Sequence, residues 1–231
     1  MKSEGKDEFL EERFVKYDTW VKEGKIPSPA KVIPVSESLS GLQWVLPTQQ
    51  ATEILRNMRT FALAKCTCRE HYKRCDNPLE SCIVVNDTAD QWVVQGKARY
   101  ITLDETKAIL NIAHENGLVH LTFYNPNQYI YALCSCCECC CWDLQVMKKY
   151  QRPDLVAHAD YVAEVDTDLC IQCGACVKRC IFDAQEKNGE KVVFHQDRCY
   201  GCGLCVTQCP TNAITMKLRK KSSMQAQTSV K

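Results

Sequence analysis

The sequence predicts an α+β protein in which a C-terminal module with a two-fold β-α-β pattern follows a small α+β region rich in cysteine. Three observations predict it. A cysteine run of spacing C-x2-C-x2-C-x3-C occurs twice between Cys170 and Pro210, with eighteen residues between Cys180 and Cys199. Strand-like segments flank both runs, and ahead of them helical and strand-like patterns alternate around ten more cysteines. At 231 residues the chain is long enough for two domains, and the repeated module needs only about 60 residues.

From the N-terminus, Leu10, Phe14, Tyr17 and Val21 recur at helical spacing within Phe9 to Glu23, and Gly24 can close that docking helix as a left-handed cap. Pro27, Pro29 and Pro34 make Ile26 to Pro34 an extended connector. Thr48 can cap a helix whose Ala51, Ile54, Leu55 and Met58 form an ordinary core stripe. Phe61 to Ala64 reads as a short buried strand leading to Cys66, and Gln91 to Val94 is expected to pair with Ala98 to Ile101 about Gln95-Gly96. Thr102, with Glu105 three positions on, opens a capping box, and Ala108, Ile109, Ile112 and Ala113 share a helix face until Gly117. His114 ends that helix, and His120 lies in the strand Leu118 to Tyr124; both read as structural histidines. Gln145 to Asp160 supplies a helix and a connector carrying Pro153.

In the module, Tyr161 to Val165 is the first strand and Gly174 to Cys180 a short helix. Ala184 to Glu186 and Lys191 to His195 form a hairpin about Asn188-Gly189, and Ala213 to Leu218 closes the repeat after a second short helix. The tail from Lys220 to Lys231 is polar and aperiodic, as disordered segments are. The expected divisions are 1–47, helix and connector; 48–150, cysteine-rich and metal-binding; 151–218, the repeat module; and 219–231, a disordered basic tail.

The net charge of +1 gives no argument for nucleic acid or an anionic membrane as a partner. Locally the balance differs: from Asp160 to Met216 eight acidic side chains face five basic ones. Lys217, Arg219, Lys220, Lys221 and Lys231 then gather in a tail without an acidic partner in the sequence. Met1 to Phe9 is charged and has no apolar stretch of an export signal, and no apolar run reaches the ~18 residues of a membrane helix. The eighteen cysteines are therefore expected to be reduced and metal-bound in an oxygen-poor cytoplasm.

The cysteines outside the repeats form two sequence groups. Cys66, Cys68, Cys75 and Cys82 are interleaved with Arg69, His71, Lys73 and Arg74, a cationic wall that would stabilise thiolate charge or else a solvated face. Cys134, Cys136, Cys137, Cys139, Cys140 and Cys141 crowd into eight residues. So many thiols are not plausible as free groups, and neighbours cannot reach relaxed disulfide geometry, so metal is the simplest answer. Cys134 with Cys137, Cys136 with Cys139 and Cys137 with Cys140 are all C-x2-C pairs, so spacing leaves the ligand set open.

The stretch from Cys170 to Pro210 resembles the bacterial-type dicluster 4Fe-4S ferredoxins, and the resemblance extends over residues 160–218. It departs in one place, with Ile181 where the family's proline follows the fourth cysteine; Pro210 keeps it in the second run. Zinc modules favour separated C-x2-C pairs and fit these runs poorly. The resemblance implies two 4Fe-4S clusters with crossed ligands: Cys170, Cys173, Cys176 and Cys209 on one, Cys199, Cys202, Cys205 and Cys180 on the other. At about 2− per oxidised cubane, the module becomes strongly electronegative and calls for a redox partner with a basic docking surface. The cysteine-rich region, with C-x-C-R, P-L-E-S-C, G-L-V-H and C-x-C-C-x-C-C-C, resembles the domain ahead of dicluster modules in anaerobic bacteria and archaea, which implies one or two further iron-sulfur clusters.

The module contains no serine-histidine pair, phosphate loop or flavin fingerprint. The expected function is electron transfer, with single electrons relayed through the paired clusters to or from the N-terminal centre and a partner redox enzyme. A second reading is a reductase with an unusual cluster at Cys134 to Cys141, where Glu138 or His120 would donate protons. A third is a redox sensor or metal-handling protein.

Overall fold

The computed structural model describes residues 7–33, 55, 57–127 and 129–219. Its largest feature is a mixed sheet of seven strands: β1 Ala30–Ile33, β2 Phe61–Lys65, β3 Glu80–Val85, β4 Ala98–Ile101, β5 Val119–Tyr124, β6 Ile130–Cys136 and β7 Val156–Ala157. Their order is β4-β2-β3-β6-β5-β1-β7, antiparallel throughout except for the parallel β1–β7 pair. Period-two alternation makes two different faces from the same strands. Phe61, Leu63, Ile83, Val85, Ile101 and Leu133 point to one side and are covered by Leu110 and Leu55. Ala62, Val84, Val119, Leu121, Phe123 and Ala132 point to the other, together with Cys82, Cys134 and Cys136.

Helices cover both faces. Thr102 Oγ1 accepts the Glu105 N–H at 3.1 Å and starts the helix Leu103–Glu115, whose buried side chains are Thr106, Leu110, Ala113 and His114. This narrows the expected stripe, since Ala108 and Ile112 are exposed while Ala113 is buried and Ile109 packs half-buried against the core. The helix Glu8–Lys22, capped by Asp7, packs Leu10 and Tyr17 against Val146 of the helix Trp142–Lys149, and Phe14 stacks on Tyr150 at 4.2 Å.

Two expectations are corrected here. Gln91 to Val94 is not a strand but the end of the helix Asn86–Val94, which turns Ala89, Trp92 and Val93 onto the sheet. Ala98–Ile101 instead pairs with β2, Phe61 opposite Ile101. The connector holds a real strand: once past Pro27 and Pro29 the chain is free to donate backbone hydrogen bonds, and Ala30–Ile33 inserts between β5 and β7. The expected helix from Thr48 through Ala51 and Ile54, and the tail from Lys220, lie outside the described residues.

In the C-terminal module β8 Tyr161–Val165 pairs antiparallel with β11 Ile214–Leu218, and β9 Gln185–Asn188 with β10 Lys191–Phe194. The first half contains the short helix Ala175–Arg179; in the second half residues 204–208 form turns rather than the expected helix. Lys217 and Arg219 are partnered after all, Lys217 with Glu164 and Arg219 with the carbonyls of Ala159, Tyr161 and Cys199. Phe182, Tyr200 and Leu204 of the module join the cysteine-bearing face of the large sheet in one apolar core. No described helix is long and apolar enough to cross a membrane.

Leu121 is fully buried at the centre of that shared core. Leu121→Ala is expected to cost about 2–5 kcal/mol, read as a lowered denaturant midpoint with an unchanged slope.

Candidate metal centres

The eighteen cysteines, all free of disulfides, gather into four groups. Two lie in the module. Cys170, Cys173, Cys176 and Cys209 surround a small void walled by Val165, Val192 and Ile214. Cys180, Cys199, Cys202 and Cys205 surround another, walled by Phe182, Phe194, Tyr200, Leu204 and Met216. Each void thus draws three cysteines from one run and one from the other. The turns need glycine: Gly174 and Gly201 both have φ of +75°, and a Cβ on Gly201 would lie 2.0 Å from the Tyr161 carbonyl oxygen.

The donors in these walls suit thiolate. Ala213 N–H points at Cys209 Sγ at 3.2 Å, with Thr211 Oγ1 3.7 Å away. Burial alone would raise the Cys209 thiol, but these donors and the Ile214 N–H hold it below its ordinary value. Burial pushes the Cys176 and Cys199 thiols up, so those sulfurs ionise most readily beside a cation. An apolar cage with thiols and N–H donors turned inward fits a thiolate-ligated iron-sulfur cluster.

The other ten cysteines are redistributed by the fold. Cys66, Cys68, Cys82, Cys134, Cys136 and Cys141 line a cavity of about 300 Å³ on the inner face of the large sheet, which Cys137 also reaches. Cys75, Cys137, Cys139 and Cys140 form a separate, tight quartet. Both groups mix the two cysteine stretches of the sequence. The mixing has a simple cause: β3 and β6 are neighbours, with Cys82 directly opposite Cys134, and their Sγ atoms are 3.5 Å apart.

The cavity thiols push one another's protons back on. Cys66 is raised by its hydrogen bond with Cys68 and by burial, Cys68 by its bond with Cys141, and Cys134 by its bond with Cys82. Burial raises Cys141 well above the usual thiol range. Cys136 gains from a hydrogen bond with Cys141, yet burial still pushes it up to about 11. A metal core would relieve this mutual repulsion, and the chemistry of the donor set fits one.

Three charged groups on the cavity were not singled out in the sequence as a set. Arg13 reaches in from the N-terminal helix to Asp143, 3.7 Å away, and its guanidinium lies over Tyr17 and Trp142. Burial works against the Arg13 charge, but Asp143 together with Tyr17, Tyr131 and Cys68 more than offsets it. Asp143 Oδ1 is buried and unpaired by any hydrogen bond. The sequence signal was faint: an acid opening a helix reads as ordinary capping charge. Arg69, 3 % exposed, donates to the Ser135 carbonyl at 2.9 Å and bonds to Ser81, with Cys137 Sγ at 3.8 Å.

The expected cationic wall therefore reduces to Arg69. Lys73 and His71 are exposed, the latter stacked on Phe9, and Arg74 holds the Cys139 carbonyl and Gln145. The expected proton donors are also corrected. Glu138 is exposed and paired with Lys148, and His120 is buried beside Ser135; neither lines the cavity. Burial holds His120 near 3 and His114 near 4, both below the ordinary imidazole value.

Residues 163–216 match the family model of the 4Fe-4S dicluster domain. No curated protein matches the chain. The C-terminal part is a ferredoxin-like dicluster domain, and the chain is an iron-sulfur, metal-binding protein.

Two outcomes follow. Gly201→Ala forces a side chain onto Tyr161 O, and the variant is expected to lose about half of the module's 4Fe-4S absorbance per chain. Because the histidine values lie below the unfolded ~6.5, the stability these rings contribute is complete above that pH and declines as pH falls toward about 4 and then 3. NMR of the folded protein should find both imidazoles still neutral at pH 5.

Proposed function

We propose that this protein is an electron carrier that passes single electrons through the C-terminal dicluster domain to or from a third centre in the six-cysteine cavity. When bound, the two clusters supply one-electron redox chemistry at low potential. The observation that carries the reading is the continuity of the core. Cys180, Cys202, Phe182, Tyr200 and Leu204 of the second cysteine cage pack in the same cluster as Cys82, Cys134, Cys136 and Cys141 of the cavity.

Other residues fit the same role. Phe182 and Tyr200 stack at 4.4 Å beside the second cage and exclude water from it. Arg179 holds the His114 and Glu115 carbonyls, and His114 bonds to Thr207 at 2.8 Å, so the module is pinned to the helix above the sheet. At the opposite cage Cys173 is exposed, flanked by Leu169 and Ile171 at 51 % and 63 % exposure. That end is where a redox partner would dock, and the module's excess of acids favours a basic partner surface.

A second reading is favoured by one observation, the buried Asp143 Oδ1, which accepts no hydrogen bond and faces Arg13 at 3.7 Å, on a cavity large enough for a small ligand. In it the cavity cysteines would hold a substrate-reducing centre, the Asp143 carboxylate would pass on protons taken from solvent, and the dicluster domain would supply electrons.

Anaerobic reductive titration tests the first reading. The full chain is expected to take up more electrons than two cubanes hold, and reduction by a low-potential ferredoxin reductase should slow as salt rises. Uptake confined to the two module clusters would remove the third centre. Trp142→Phe, which keeps the cavity wall apolar, should leave uptake unchanged.

A further inference from the structure

The quartet of Cys75, Cys137, Cys139 and Cys140 has a different geometry from the other three groups. Its four Sγ atoms all lie within 4.8 Å of one another, with Cys75 3.8 Å from Cys137 and 4.0 Å from Cys140, and Cys139 3.8 Å from Cys140. Four sulfurs placed tetrahedrally about 2.3 Å from one ion stand about 3.8 Å apart along every edge. A cubane gives each thiolate its own iron on a cage, and so holds the sulfurs farther apart. Among the described residues this is the one set of potential ligands gathered so tightly.

We propose that Cys75, Cys137, Cys139 and Cys140 bind a single tetrahedral zinc or ferrous ion, distinct from the iron-sulfur clusters, which fixes one wall of the six-cysteine cavity. Tetrahedral tetrathiolate sites select these soft ions. Two donors already face the sulfurs: Asn77 Nδ2 is 3.2 Å from Cys75 Sγ and Arg69 Nη1 is 3.8 Å from Cys137 Sγ. The buried Arg69 charge offsets part of the net negative charge that four thiolates leave on a divalent ion. Binding releases the thiol protons to solvent, so affinity falls with acid.

The structural purpose follows from the chain path. Cys137 and Cys140 of the quartet are immediately flanked by Cys136 and Cys141 of the cavity. Anchoring the turn to Cys75 therefore sets where the two cavity sulfurs point. The inference stands whether or not the dicluster domain carries electrons as proposed above.

The test uses the full chain, purified without oxygen, with zinc, iron and acid-labile sulfide quantified and X-ray absorption recorded at the metal edges. The expected result is about one zinc per chain with about four sulfurs at ~2.3 Å and no metal neighbour. If the ion is iron, the expected result is about one iron in excess of sulfide, with the Mössbauer signature of a ferrous tetrathiolate. Cys75→Ser and the half-exposed Cys139→Ser should each cut occupancy of that ion at least about tenfold while the iron-to-sulfide ratio of the remaining clusters holds. Absence of zinc with iron and sulfide equal in the wild-type chain would overturn the proposal. So would a Cys75→Ser variant that loses iron and sulfide together in cubane amounts.

Discussion

The register of β6 between β3 and β5 is the constraint on which the N-terminal centres rest. With Cys134 opposite Cys82 on one side and Leu121 on the other, Cys134 and Cys136 project to the inner face while Leu133 fills the opposite core. A slip of one residue would exchange these sets, putting leucine into the cavity and thiols into the apolar layer beneath the helix Leu103–Glu115. Leu133 and Ile83, both buried, oppose that slip from the far side of the sheet. Ordinary hydrophobic packing on one face thus decides the metal chemistry on the other.

Electrostatics then divides the labour among the thiols. Cys75 is disfavoured as a thiolate by burial, yet the Asn77 N–H and side-chain amide and the neighbouring cysteines bring it down to about 7. In the cavity the balance runs the other way, because the sulfur–sulfur hydrogen bonds and burial outweigh the Arg69 and Trp142 N–H groups that face Cys66 and Cys68. Cations must come from elsewhere. Arg13 and Arg69 supply two from the protein, and a bound metal core would supply the rest.

The attachment of the dicluster domain to the sheet is more than a linker. Phe182 and Tyr200, stacked on each other in the core on the sheet face, and the Arg179 contacts to the end of the helix Leu103–Glu115 hold one cage against the sheet. Gly117 marks how close the approach is, since a Cβ there would meet Arg179 Nη1 at 2.6 Å. The other cage stays at the surface, with Cys173 exposed. Such polarity, one end open and one end buried in the neighbouring core, suits directional traffic of electrons.

The sequence by itself determined the α+β class, the cap at Thr102, the strand at Phe61 and the dicluster repeat, because each is written in contacts a few residues apart: a capping box, an alternation, a cysteine spacing that a glycine turn can close. Spacing groups Cys170, Cys173 and Cys176 without any knowledge of the fold. It missed the helix Asn86–Val94, where apolar residues beside Gly96 read equally well as a hairpin, and the strand Ala30–Ile33, hidden between prolines. Only the tertiary structure decided how the remaining ten cysteines divide. Cys75 left its sequence neighbours for Cys137, Cys139 and Cys140, and Cys66, Cys68 and Cys82 joined Cys134, Cys136 and Cys141, since strand pairing across some fifty residues is set by which faces bury best and leaves no mark in local spacing.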